Sequence, residues 1–83
     1  MPYRLETSTV RSETDLARLL LSTAESAYKL GNLAAGREAV ARGIAACDRA
    51  NAIIAGMAEG QRELLLPAIF FLRDTLTELQ GHA

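Results

Sequence analysis

From Leu33 to Met57 the chain keeps one spacing: Leu33, Gly36, Val40, Gly43, Cys47, Ala50, Ile54 and Met57 alternate steps of three and four. Steps of that kind return to one side of an α-helix at each pair of turns, so the run predicts a long helix with a heptad seam. The second member of each heptad is small, being Gly36, Gly43 and then Ala50. A glycine inside a helix costs about 1 kcal/mol relative to alanine, so two cost about 2 kcal/mol. Close approach of a neighbouring helix is the expected compensation.

A second periodic run precedes this seam. Leu16, Leu20, Thr23, Ala27 and Leu30 step by four and three, with Leu19 and Ala24 widening the stripe and Arg18, Glu25 and Lys29 pointing away. Ser12 and Asp15 stand at capping-box spacing just before it, which predicts a helix over about 14–30. Gly31-Asn32 then supplies two residues that tolerate a left-handed backbone, so a tight turn follows. The turn sets Ala24 and Ala27 opposite the start of the second helix, predicted over about 33–57. The expected helix-packing set is Ala24, Ala27, Gly36, Val40, Gly43 and Cys47. A further line of small residues, Ala34, Ala41, Ala45 and Ala52, offers the second helix a smooth face for a third helix or a second subunit. Residues 1–12 show no helical period, and the alternation of Tyr3, Leu5, Thr7 and Thr9 predicts an extended arm ahead of a helical domain over 13–83.

The third run, Leu65, Ile69, Leu72, Leu76 and Leu79, repeats the spacing after a break at Gly56–Gly60 and predicts a helix over about 61–80. Pro67 lies within it and is expected to bend it. The predicted fold is all-α, an antiparallel three-helix bundle containing a tight hairpin. Leu66 and Phe70 fall to one side of the third stripe, Leu64 and Phe71 to the other, so the first turns are apolar nearly all round. A two-helix hairpin covers about half of such a helix. Leu64, Leu66, Phe70 and Phe71 are therefore the expected interface, taken up by a homodimer or a helical protein partner. The competing expectation is that the N-terminal arm folds over them.

Composition agrees with a small core seeking help. At 83 residues the chain buries only ~60–65% of the surface of its unfolded form, and pairing is a common remedy. Nine basic and ten acidic residues nearly cancel, so no positive field draws nucleic acid. The single cysteine excludes an internal disulfide and no charged-then-apolar leader opens the sequence, so a reducing cytoplasm is expected. The longest apolar run, Leu64 to Leu72, contains a proline and falls well short of the ~20 residues needed to span a bilayer.

One resemblance spans part of the hairpin. Residues 20–44 read LLSTAESAYKLGNLAAGREAVARGI, with Leu20 as the large and Ala24 as the small residue of the first helix, YKLGN at the turn, and Gly36, Val40 and Gly43 as a small, large, small series. That order resembles one tetratricopeptide repeat. It implies hairpin geometry and favours an interaction role.

Catalytic and ligand motifs are weak by comparison. GNLAAG at Gly31–Gly36 has phosphate-loop spacing, but a preceding strand and a Lys-Ser or Lys-Thr pair are missing. Cys47 sits on the seam as a small hydrophobe, and His82 lies too near the end to anchor a triad. Glu59 with Glu63 and Asp74 with Glu78 are carboxylate pairs at helical spacing without histidine ligands beside them. No metal, cofactor or enzymatic activity is expected. The alternative to an interaction module is a small dimeric nucleic-acid-binding regulator using Arg42 and Arg49, with Glu38 beside Arg42.

Overall fold

In the computed structural model, which describes the backbone of residues 2–82 and the side chains of residues 8–81, three helices follow one another. These are α1 (Pro2–Lys29), α2 (Leu33–Ile54) and α3 (Glu59–His82). They pack as an antiparallel three-helix bundle measuring 45 × 18 × 14 Å. The long axis matches a 28-residue helix rising ~1.5 Å per residue.

The hairpin turn follows from two residues. Gly31 takes φ +79°, the Asn32 amide donates to the Ala27 carbonyl at 2.9 Å, and the Gly31 amide donates to that of Tyr28 at 3.1 Å. This is a Schellman closure, and it needs glycine at the left-handed position. Asn32 has an ordinary φ of −87° and serves instead as the N-cap of α2, its side chain accepting from the Ala35 amide. Its contribution is thus a side-chain acceptor and not the left-handed backbone expected of it.

The seam of α2 is the spine of the core. Gly36, Val40, Gly43, Cys47, Ala50 and Ile54 are buried, as is Met57 just beyond the helix end, whereas Leu33 at the turn is exposed. The glycines admit large side chains. A Cβ on Gly36 would stand 2.5 Å from Cε1 of Tyr28, and one on Gly43 would stand 2.9 Å from Cδ1 of Leu76, with Leu20 Cβ at 3.5 Å. Gly43 is thus where α1, α2 and α3 meet. The second buried line of α2 is Ala39 and Ala46, while Ala34, Ala41, Ala45 and Ala52 all face outward. The smooth second face therefore lies at different alanines from those expected, because α3 packs beside the seam rather than across the helix from it.

The N-terminal arm is corrected. Residues 2–12 continue α1, and Val10 is 1% exposed in the core. Ser12 and Asp15 accordingly lie inside the helix and cap nothing. Among the described residues the buried stripe of α1 is Val10, Thr14, Ala17, Leu20, Ala24 and Ala27, turned from the expected one so that Leu16 is half-buried and Thr23 and Leu30 are exposed. The large leucines drew the expected stripe, but α1 approaches α2 through its alanines, since a small side chain permits nearer packing. Thr14 fits because its Oγ1 donates to the Val10 carbonyl at 2.7 Å. The side chains of Tyr3, Leu5, Thr7 and His82 lie outside the described residues.

In α3, Ile69, Leu72 and Leu76 are buried, and the helix runs through Pro67 from Glu59. Pro67 is exposed and lacks the N–H that would bond the carbonyl of Glu63, itself an exposed residue. Among the described residues, two ion pairs bridge neighbouring helices. Glu13 of α1 accepts from Nε and Nη2 of Arg49 on α2 at 3.0 and 2.9 Å, and Asp48 of α2 accepts from Nε of Arg73 on α3 at 2.9 Å.

Candidate functional site: the open face between α1 and α3

Because α2 takes most of the burial from both neighbours, α1 and α3 touch each other least. Their outer sides diverge into a trough of ≈ 630 Å³ in its wider part, on the opposite side of the layer from α2. Its floor is Thr14, Leu21, Leu65 and Leu72. The two lips differ in chemistry.

The α3 lip is apolar. Leu64, Pro67, Ala68 and Phe71 follow one another at helical spacing, with Leu64 80% and Phe71 69% exposed. A leucine and a phenylalanine held in water forgo ~1.5–3 kcal/mol each of available burial, so this lip gains most from being covered. Of the other two expected interface residues, Phe70 is 52% exposed but lies outside the trough, on the side where Arg73 reaches α2. Leu66 is half-buried and packs against the core. The structure therefore brings Leu64 and Phe71 together and separates Phe70 and Leu66 from them. The arm does not fold over this surface, since α1 runs alongside it as a helix.

The α1 lip is charged. Arg11, Asp15, Arg18, Ser22 and Glu25 step by four and three along it, and all five are exposed. Within this row Arg18 Nη1 stands 3.5 Å from Asp15 Oδ1. The helical period alone points Arg18 and Glu25 outward without relating them to α3. The signal was present in the 4-3 spacing of the five, but only the fold shows which helix lies beside them.

Elsewhere the side chains serve the fold. Cys47 is fully buried, and burial pushes its thiol pKa up, with the neighbouring Asp48 carboxylate adding to the rise and Arg73 opposing it. A buried protonated thiol is a poor nucleophile. Arg49 is held by both oxygens of Glu13, which raises its pKa further, while Arg42 is exposed. The carboxylates of Glu59 and Glu63 and of Asp74 and Glu78 are exposed along α3, with Glu59 in its first turn. Among the described residues no three His, Cys, Asp or Glu converge, and no helix is long and apolar enough to cross a membrane. In comparisons with protein-family models, curated proteins and solved structures, nothing matches this chain.

Proposed function

We propose that this chain is a non-catalytic interaction module that takes a second helical layer on the open α1/α3 face, anchored by Leu64 and Phe71. The observation that carries the reading is the exposure of those two large side chains on one lip of a trough. Side-by-side α1 and α3 present two grooves' worth of ridges to an incoming helix, and such grooves receive apolar anchors at i, i+3, i+4 and i+7. The layer is supplied by a second copy of the chain or by another helical protein. A reducing compartment, the cytoplasm, suits its single buried thiol. The tetratricopeptide-like order of residues 20–44 supports the same role, since such hairpins serve as protein-docking scaffolds.

The alternative use of Arg42 and Arg49 on nucleic acid is less well supported, because Arg49 would first have to leave Glu13. The test of the leading reading is isolation of the chain from native extract beside a Leu64→Glu, Phe71→Glu variant of unchanged helical content. The wild type should come out bound to itself or to another protein, and the variant alone. A wild type that emerges alone and sediments as a monomer at high micromolar concentration refutes the proposal.

A further inference from the structure

We infer that the second layer is another copy of this chain, laid face to face and antiparallel, with a two-fold axis crossing at the level of Arg18 and Ala68. This rests on the docking role proposed for the α1/α3 face and goes beyond it by naming the occupant, its direction and its register.

The charge order on α1 carries the inference. Read from Arg11 through Asp15, Arg18 and Ser22 to Glu25, the lip runs positive, negative, positive, neutral, negative. The two ends of such a row complement each other when one copy is reversed, while Asp15 comes level with Ser22 and Arg18 with Arg18. When a second α1 runs antiparallel over the first with its centre at Arg18, Arg11 of one copy comes level with Glu25 of the other, and symmetry repeats the pair at the far end. At the centre, where the two Arg18 guanidinium groups face each other, the two Asp15 carboxylates, each 3.5 Å from the arginine of its own copy, offset their repulsion.

The apolar lip obeys the same axis. Arg18 and Ala68 line the trough together, so they are level on the parallel helices α1 and α3. The rotation that sets α1 on α1 sets α3 on α3, and Leu64 of one copy then lies across from Phe71 of the other. Ala68 at the crossing leaves room for the backbones to approach. A parallel two-fold about the trough would instead lay each charged lip on the other copy's apolar lip, which strands charges without partners.

Sedimentation velocity of the full chain from low to high micromolar concentration, with Arg11→Glu and Glu25→Arg made singly and together, tests the register. The wild type should dimerise. Each single reversal sets like charges together at both symmetric positions and should raise the dissociation constant about tenfold or more. The combined reversal should return it to within about threefold of wild type. A second readout leaves the Arg11 and Glu25 pair untouched: Arg18→Cys in a Cys47→Ala background should cross-link to itself with a short bis-maleimide. Dimers indifferent to the reversals, or lacking the self-cross-link, overturn the antiparallel register. A monomeric wild type overturns the inference altogether, yet spares the docking role if native extract still yields another protein that the Leu64→Glu, Phe71→Glu variant loses.

Discussion

Gly43 shows how one missing methyl group holds three helices in place. Replacing it with alanine gains about 1 kcal/mol of helix propensity, but the new Cβ would stand 2.9 Å from a methyl of the fully buried Leu76, and overpacking of that kind costs roughly 1–3 kcal/mol. We expect Gly43→Ala to lower the unfolding free energy by a net ~1 kcal/mol, the balance of those two effects, seen as a lower denaturant midpoint. Gly60→Ala, in the first turn of α3 with nothing near its Cβ, should leave the midpoint unchanged or raise it. A gain in both would mean that the Leu76 side chain yields freely. Cys47 offers an independent check of the same core. Its thiol pKa is raised in the fold, so the stabilisation it reflects is fully present below the unfolded thiol pKa and is lost as pH rises through the folded one. Native chain should therefore resist iodoacetamide until it unfolds, and Cys47→Ser should flatten the alkaline decline in melting temperature. Rapid labelling of the native chain at neutral pH would contradict the burial of this side chain.

At the scale of elements, the 4-3 spacing in α2 and α3 was legible in the sequence because each seam is built of residues whose burial is unambiguous: Val40, Ile54, Ile69, Leu72 and Leu76. The turn at Gly31 was legible as well, since a left-handed backbone at a helix end favours glycine above other residues. The start of α1 was not. Among the described residues its core positions before Leu20 are Val10, Thr14 and Ala17, one β-branched apolar residue, one hydroxyl and one methyl, and none outweighs the run of leucines that follows. Thr14 in particular reads as a cap former, yet it is satisfied within the helix by the Val10 carbonyl. The N-terminal turns of α1 are therefore structural, and Val10→Ala should cost ~2 kcal/mol through two lost methyl groups and the space left behind. Hydrogen exchange checks the same point: amides near Val10 should exchange as slowly as those near Ala24. Unprotected amides and a neutral Val10→Ala would restore the extended arm.

At the scale of the molecule, the site depended on an arrangement that periodicity cannot convey. Each helix pattern fixes a buried side, but not which two helices lie apart. Leu64 and Phe71 were legible as apolar excess, and the structure adds that they edge a trough, whereas Leu66 is claimed by the core and Phe70 by the other flank. The charged row on α1 carried no meaning until α3 was set parallel to it at the level of Arg18 and Ala68.

Three alternating passes also leave the two ends of the chain at opposite poles of a 45 Å body, Pro2 at one and His82 at the other. Anything joined genetically to both ends would be held apart by a stiff strut, so the fold is a ready-made spacer whose reach is set by the length of its first helix.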